Sequence, residues 1–250
     1  MIQKNDKLNL SILPKVVREH INQLERIRSD FVANVSHELR TPLTVIRGYL
    51  EALLKKKDKG MKTYQKIFNQ MNQHSARMEA IIDDLLFLSR LENEDYLPEE
   101  IDHINVAEIL KTLCADAGRI SGEKQHIIKL QTDPNLYING SEEELKSLFS
   151  NIIINAVKYT PAKGCITVKW FKDDNYAVFN VLDTGIGIAK EHIPRITERF
   201  YRVDKARSRE SGGTGLGLAI VKHVLMRHHG DLHIESELSK GSMFTCKFPL

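Results

Sequence analysis

The stretch Ser36-His37-Glu38-Leu39-Arg40-Thr41-Pro42-Leu43 decides the fold of the N-terminal part of the chain, because it lies within a long amphipathic pattern between residues 21 and 54. Apolar residues recur there in steps of three and four, which predicts an α-helix with one buried face. These apolar positions are Leu24, Ile27, Phe31, Val35, Leu39, Leu43, Ile46, Leu50 and Leu54. At about 100° per residue, His37 falls opposite this stripe, so we expect its imidazole to face solvent.

Three groups with complementary chemistry lie within one turn of this helix. A neutral imidazole is a nucleophile near pH 7, and the adjacent Glu38 can take or orient its proton, while Thr41 adds a hydroxyl. The alternative is a solvated surface histidine without a role. A zinc-protease helix is disfavoured, since no second histidine follows at the fourth position. Pro42 is either a hinge or a tolerated kink.

A second helix is predicted from residue 63 to 94, after a break at residues 55–60. The basic residues of that break indicate a solvated turn, with an anion site as the alternative. The second helix carries a heptad seam of Ile67, Met71, His74, Met78, Ile81, Leu85 and Leu88. Two such helices form an antiparallel hairpin, which cannot bury both stripes alone. We therefore predict a homodimeric four-helix bundle, with His74 packed in it rather than serving as a second acceptor.

Composition excludes several classes of protein. The chain has 250 residues, 42% of them hydrophobic, which suits a globular protein of one large or two modest domains. The formal net charge of +3 gives no argument for a nucleic-acid partner. Three widely spaced cysteines suggest a reducing compartment. The sequence shows neither an apolar run of about 18 residues nor the pattern of a signal peptide.

The pattern changes after a polar linker around residues 93–100, and residues 102–250 are predicted to form an α+β sandwich. The predicted helices span 106–117, 141–159, 190–195 and 216–229, with Ser141 and Glu144 as a capping box. The predicted strands span 127–132, 136–140, 166–171, 176–182, 232–236 and 243–248. Residues 1–20 carry no motif and are interpreted as a leader or the remnant of an upstream sensor module.

Polar groups on the predicted helix 141–159 suggest a cation and phosphate site. Asn151 and Asn155 are one turn apart, and two amide oxygens can face Mg²⁺, which prefers oxygen ligands and shares them with phosphates. Lys158 supplies positive charge for a phosphate. Paired asparagines that only form hydrogen bonds are the alternative.

Two glycine-rich stretches follow this helix. Asp183-Thr184-Gly185-Ile186-Gly187-Ile188 comes after a strand, where glycines allow a ligand close to the backbone, although an ordinary turn has the same composition. Gly212-Gly213-Thr214-Gly215-Leu216-Gly217-Leu218 precedes an apolar helix, as a phosphate cradle does. Neither a Rossmann nor a Walker reading of the second stretch fits, because the βαβ context and the Gly-Lys-Ser/Thr are missing.

Taken in order, these motifs resemble those of sensor histidine kinases, over nearly the whole chain beyond about Glu25. The similar segments are 31–43 (phosphoacceptor box), 151–161 (N box), 183–188 (first glycine box), Phe200-Tyr201 (F box) and 212–218 (second glycine box). Within the family, residues 197–209 are most similar to the sensor kinases of the phosphate regulon, which implies signalling in phosphate starvation.

The resemblance implies a role for each candidate residue. His37 would accept a phosphoryl group from ATP, Glu38 would take or orient its proton, and Thr41 would orient a water that dephosphorylates the partner. Asn151 and Asn155 would hold Mg²⁺, and Asp183 would bind the adenine amino group. The other implied nucleotide-site residues are Lys158, Tyr159, Gly185, Gly187, Arg202, Gly213, Thr214, Gly215, Leu216, Gly217 and Leu218. The basic residues between 199 and 209 would form a lid over ATP, or merely a solvated loop.

We therefore expect a dimerisation and phosphotransfer hairpin at 21–95 and a catalytic ATP-binding domain of the histidine-kinase, chaperone and topoisomerase type at 102–250. The implied partner is the receiver domain of a response regulator, and phosphoryl transfer to His37 within one subunit or between two stays open. A non-kinase ATPase and an ATP-binding scaffold are the alternatives. Since such kinases are usually membrane-anchored, we expect either the cytoplasmic portion of a bacterial inner-membrane sensor or a short soluble relative.

Overall fold

The computed structural model describes residues 15–55, 61–93, 102–204 and 213–250, with side chains from residue 31 onward apart from a few next to the gaps. The predictions for residues 1–14, the turn at 56–60, the linker at 94–101 and the basic residues 205–212 lie outside the described residues. The chain divides into two compact units, Met1–Met78 and Glu79–Leu250. The domain limits at residues 95 and 102 remain a prediction.

Among the described residues, the first unit contains one long helix and the beginning of a second, which continues into the second unit. Helix α1 spans Lys15–Lys55 and begins earlier than predicted, while α2 starts at Met61 and ends at Asn93. Helix α1 continues through Pro42, whose ring is buried. A cross-helix ion pair between Glu38 and Arg77 places the two helices side by side. The predicted helical hairpin is confirmed, and no helix in the described part of the chain is both long and apolar enough to cross a membrane.

The described residues of the second unit also form three further helices and seven strands. They are β1 (Asp102–Asn105), α3 (Val106–Ser121), β2 (Ile127–Thr132), β3 (Tyr137–Gly140), α4 (Glu142–Tyr159), β4 (Cys165–Asp173), β5 (Tyr176–Asp183), α5 (Gly217–Arg227), β6 (Asp231–Glu237) and β7 (Gly241–Pro249). The predicted helix at 190–195 is only a three-residue 3₁₀ turn, Ile193–Arg195, with Pro194 at its start. Strand β1 was not predicted, because Ile104 is the one apolar residue among its four.

The strands form two sheets. A five-stranded sheet has the order β2-β4-β5-β7-β6, in which β2 pairs with β4 in parallel and the other pairs are antiparallel. Strands β1 and β3 form a separate antiparallel pair. Because β5 is central and pairs with β7 out to Asp183 opposite Ser242, the end of β5 lies inside the sheet rather than at its edge.

The helices and the sheet bury a core centred on Phe149 of α4. Its ring centroid lies 4.6 Å from that of Phe179 and 6.1 Å from that of Trp170, and all three side chains are fully buried. The Trp170 indole N–H donates a hydrogen bond to the Leu136 carbonyl oxygen at 3.1 Å, which satisfies its polar atom. Ser141 begins α4 as predicted, with its hydroxyl accepting from the Glu144 N–H. The predicted α+β sandwich is therefore confirmed.

We predict that Phe149→Ala lowers the free energy of unfolding by about 3–5 kcal/mol, because it removes a buried ring and leaves a cavity. Phe171→Ala is the matched control, since Phe171 is 41% exposed and its loss should cost less than about 1 kcal/mol. Urea unfolding followed by circular dichroism measures both. Equal losses for the two variants would contradict this account of the core.

The loop after β5 depends on a glycine. Gly187 has a φ of +68°, and a Cβ there would overlap the Glu237 carbonyl group. We predict that Gly187→Ala destabilises the fold by at least about 1–2 kcal/mol, the cost of this backbone region for an L-residue. Gly118→Ala is the control: Gly118 lies within α3 with no atom near its missing Cβ, so alanine should stabilise by about 0.5–1 kcal/mol. Thermal unfolding of both variants distinguishes the two signs.

Candidate active site

His37 lies on the exposed face of α1, as its phase in the apolar pattern predicts. Thr41 follows one turn later and is also exposed, and its hydroxyl donates a hydrogen bond to the His37 carbonyl oxygen at 3.1 Å. The Thr41 oxygen keeps its lone pairs for another partner, since only its proton is used in this bond. An imidazole and a hydroxyl are thus presented to solvent on one side of the helix.

Glu38 is held by a residue that the sequence analysis missed. The Arg77 guanidinium on α2 donates through Nη2 to Glu38 Oε2 at 3.0 Å, and the Arg77 side chain is only 14% exposed. A charge-assisted bond of this kind restricts the carboxylate next to His37. The apolar heptad pattern of α2 gave no signal for Arg77, because a pair across two helices depends on the register that the turn imposes.

Asp183 ends β5 and is buried. Its Oδ1 accepts hydrogen bonds from the Gly185 N–H at 2.7 Å and from the Ser242 N–H at 3.3 Å. Burial raises the pKa of the Asp183 carboxyl, while these two bonds oppose the rise. A buried carboxyl held by two backbone donors through one oxygen is oriented to accept a hydrogen bond from a ligand amine with the other.

The first glycine segment is joined to the end of α4. The Ile186 N–H donates to the Tyr159 carbonyl oxygen at 3.2 Å, and a Cβ on Gly185 would lie 2.8 Å from the same oxygen. Tyr159 is half-buried at this junction. Gly185 therefore allows a close approach of the Tyr159 carbonyl group, whereas the close approach of a ligand to residues 183–188 remains a prediction.

The second glycine segment is held from two sides. Gly215 has a φ of +78° and its carbonyl oxygen accepts from the Phe200 N–H at 2.8 Å. The Thr214 hydroxyl accepts from the Leu216 N–H at 3.1 Å, and the Leu216 side chain is fully buried. Helix α5 then begins at Gly217. The segment thus turns into a helix N-terminus, where an anion is favoured.

Arg202, which the family resemblance implies as a nucleotide-site residue, contacts the second glycine segment. Its Nη2 donates to the Thr214 carbonyl oxygen at 2.7 Å. The F box precedes it, with Phe200 packed against the hydrophobic core. The backbone of residues 200–202 therefore positions the Arg202 guanidinium at the second glycine segment. Gly213 and Leu218, at the two ends of the described segment, are both half-buried.

Asn151 faces the glycine segment across the site. Its Nδ2 donates to the Ser147 carbonyl oxygen at 3.0 Å, and a Cβ on Gly217 would overlap its Oδ1. The amide is thus oriented with its oxygen toward Gly217. Asn155 lies one turn further along α4 and is also half-buried. An oxygen aimed at a phosphate-type loop fits a hard cation such as Mg²⁺.

Lys158 and Asp84 also lie near the second glycine segment, and each shifts the pKa of the other. Burial lowers the pKa of the Lys158 ammonium, with Asp84 opposing the shift and Arg202 adding to it. Asp84 lies on α2, in the part that belongs to the second unit, and accepts from the Thr214 hydroxyl at 2.8 Å. The sequence analysis missed Asp84, because a polar residue on a helix outside the apolar seam is normally solvated.

The described residues offer no group of three or more His, Cys, Asp and Glu side chains suited to a metal ion. A metal at this site would have to use amide oxygens together with ligands from a bound molecule.

Comparison with known families gives one match for each part of the chain. Residues 27–94 match the His Kinase A (phospho-acceptor) domain, and residues 140–250 match the histidine kinase-, DNA gyrase B- and HSP90-like ATPase. The first match contains His37, and the second contains both glycine segments.

Similar curated proteins are sensor kinases. The phosphate regulon sensor protein PhoR of Pseudomonas aeruginosa is 50% identical over 240 residues, which are 96% of this chain and 54% of that protein. The corresponding PhoR of Haemophilus influenzae is 39% identical over 224 residues, 89% of this chain and 51% of that protein. The chain spans about half the length of these curated relatives.

The fold also matches a solved structure. Histidine kinase ThkA, solved in complex with the response regulator protein TrrA, has a TM-score of 0.73 and 22% sequence identity, covering 91% of this chain and 63% of that one. This likeness supports the architecture of a helical hairpin and an α+β domain. The two domain matches and the identity to PhoR show that the chain belongs to the sensor histidine kinases of two-component systems.

Proposed function

We propose that this chain is the ATP-dependent kinase part of a sensor protein, which phosphorylates its own His37 and passes the phosphoryl group to an aspartate of a response regulator. One observation carries the proposal: His37 is exposed on α1 next to a carboxylate that Arg77 holds, in a chain that also carries an ATPase-type domain. A surface histidine without a role would need neither the restrained Glu38 nor the nucleotide domain.

Three groups of residues in the second unit bind different parts of Mg-ATP in this proposal. The Asp183 carboxyl receives the adenine amino group, because its buried position and two backbone donors fix its orientation. Lys158, Arg202 and the backbone of residues 213–218 receive the phosphates, where two cations and a helix N-terminus add. Asn151 and Asn155 are the proposed ligands of Mg²⁺, which when bound would neutralise part of the phosphate charge.

The transfer itself is an in-line displacement at the γ-phosphorus of ATP. A ring nitrogen of His37 forms the new N–P bond, the bond from phosphorus to the bridging oxygen breaks, and ADP leaves with that electron pair. The proton on the other ring nitrogen passes to Glu38. Arg77 keeps the Glu38 carboxylate in place for this step, and the cations around the phosphates offset the developing charge.

The two alternative functions explain less of the molecule. A non-kinase ATPase of the gyrase or HSP90 type accounts for residues 183–188 and 213–218 but gives His37 and Glu38 no role. A scaffold without chemistry accounts for the hairpin, yet leaves the oriented Asp183 and the Asn151 oxygen unused. The kinase uses all of these groups in one reaction.

The partners follow from the exposed surface of the hairpin. Large apolar side chains on the first unit are solvent-exposed within a single chain, as expected if a second copy covers them in a four-helix bundle: Val32, Leu43, Leu50 and Phe68. A receiver domain would dock near His37. The match to PhoR supports a role in phosphate-starvation signalling, as the cytoplasmic portion of a bacterial inner-membrane sensor.

We predict that His37→Gln abolishes acid-labile, alkali-stable label from γ-labelled ATP in the presence of Mg²⁺, because glutamine has no nucleophilic nitrogen. His74→Gln, which replaces the half-buried histidine of α2, is the matched control and should keep the label. Glu38→Gln should slow labelling by about 10²–10⁴-fold if Glu38 is the proton acceptor. Label that survives in His37→Gln would move the acceptor elsewhere, and ATP hydrolysis without label in the wild type would favour the ATPase.

We also predict that Thr41→Ala lowers the phosphatase activity toward the phosphorylated regulator at least tenfold and leaves autophosphorylation unchanged. The reason is that the Thr41 hydroxyl would orient the attacking water. Thr44→Ala is the control, because Thr44 is also exposed and donates to the carbonyl oxygen of Arg40 at 2.8 Å in the same manner. The substrate is a receiver-domain protein that the wild-type chain has phosphorylated and from which ATP has been removed. Full phosphatase activity in Thr41→Ala would refute the role of this hydroxyl.

A further inference from the structure

The last part of α2, residues 79–93, is packed into the second unit. Leu88 and Leu91 are almost fully buried and belong to the same core as Leu148 and Ile220 of the ATPase-type domain. The Arg227 Nη1 donates to the Leu91 carbonyl oxygen at 3.4 Å. Burial of these two leucines stabilises the packing of this segment against the second unit.

A charged contact holds the end of the same segment. The Glu92 carboxylate pairs with the Arg199 guanidinium and lies 3.1 Å from His223 Nε2. Burial and the positive charges of Arg199 and Lys222 lower the pKa of His223, so the neutral ring can donate its N–H to Glu92 at pH 7. Segment 79–93 is therefore held in a defined position relative to Arg199 and His223.

This position brings Asp84 to the glycine segment. The Asp84 carboxylate accepts the Thr214 hydroxyl at 2.8 Å, while the Thr214 carbonyl oxygen accepts from Arg202 at 2.7 Å. Burial raises the pKa of Asp84, but the Thr214 hydrogen bond and the Lys158 charge oppose the rise. The Asp84 carboxylate thus lies near the Thr214 hydroxyl and the positively charged side chains of Lys158 and Arg202.

A carboxylate and a phosphate are stabilised by the same kinds of side chain. Both are anions that accept hydrogen bonds from hydroxyl, ammonium and guanidinium donors. Two anions cannot share these donors without strong repulsion in a partly buried site. Asp84 offsets the positive charge of Lys158 that a nucleotide phosphate would otherwise offset.

We propose that Asp84 is an affinity-determining residue of the nucleotide site, whose carboxylate competes with a nucleotide phosphate for the Thr214 hydroxyl and the Lys158 ammonium. This inference rests on the proposed binding of ATP phosphates at residues 213–218. Because Asp84 is on α2, the helix that begins in the hairpin, a shift of α2 that withdraws Asp84 strengthens ATP binding. Nucleotide affinity is then coupled to the hairpin, and ATP in turn favours withdrawal of Asp84.

The test is the dissociation constant of ATP with Mg²⁺, measured by isothermal titration calorimetry on the whole chain. We expect Asp84→Asn to bind ATP about tenfold tighter, because the amide can still accept the Thr214 hydroxyl but no longer carries the negative charge that repels a phosphate. Asp83→Asn is the matched control, since it removes the same charge from the neighbouring exposed residue and should change the constant less than twofold. Asp84→Ala, which cannot accept a hydrogen bond, should bind at least as tightly as Asp84→Asn.

The two possible failures are distinguishable. An unchanged constant in both Asp84 variants would overturn the competition, and weaker binding would make Asp84 a nucleotide-binding residue instead. In either case, a loss of ATP binding in Asp183→Asn would still support the proposed nucleotide site. No ATP binding by the wild type would refute the nucleotide site itself.

Hydrogen–deuterium exchange gives a second readout that does not depend on how the variants fold. ATP should increase the amide exchange of residues 79–93 in the wild-type chain, because withdrawal of Asp84 loosens the packing of this segment. Exchange that stays constant or falls on ATP addition would contradict the competition.

Discussion

The Asp183 carboxyl joins chain segments that are far apart in sequence. It lies at the end of the central strand β5, takes one N–H from its own loop and another from Ser242 on β7, and is buried while doing so. Removing a buried acceptor leaves both donors unsatisfied, at a cost of about 1–3 kcal/mol for each. The backbone of the first glycine segment, and with it the junction to Tyr159 on α4, depends on this arrangement.

The same constraint explains the distribution of glycines. Gly185 lies against the Tyr159 carbonyl group, and a Cβ on Gly241 would overlap the backbone of Asp183. On the other side of the site, Gly217 leaves space for the amide oxygen of Asn151. Where the loops, β7 and α4 meet, these glycines leave room for backbone N–H donors and the Asn151 amide oxygen, beside the charged side chains of Asp183, Lys158 and Arg202. This set of groups fits the proposed nucleotide, in contrast to the solvent-exposed imidazole of His37.

Arg77 and Asp84 each make a polar contact near one of the two proposed sites, and the same kind of interaction stabilises both. Each is a charged side chain on α2 that is partly withdrawn from water and meets an oppositely polarised group: Glu38 for Arg77 and the Thr214 hydroxyl for Asp84. Charged groups in such positions are costly unless they are paired. A single helix therefore supplies one contact to Glu38, the neighbour of His37, and another to Thr214 in the second glycine segment.

Much of this protein could be predicted from local patterns. Apolar periodicity determined α1, α2 and the exposure of His37, because helix phase follows from spacing alone; alternation and turn residues determined most strands, and Ser141 marked the start of α4. The identity of the motifs at Asn151, Asp183 and Thr214 named the family. Only the tertiary structure decided the short strand β1, the 3₁₀ turn at Ile193–Arg195, and the contacts of Arg77, Asp84 and Glu92. Those contacts join residues tens to more than a hundred positions apart, so they depend on the register between packed elements, which no local pattern in the chain specifies.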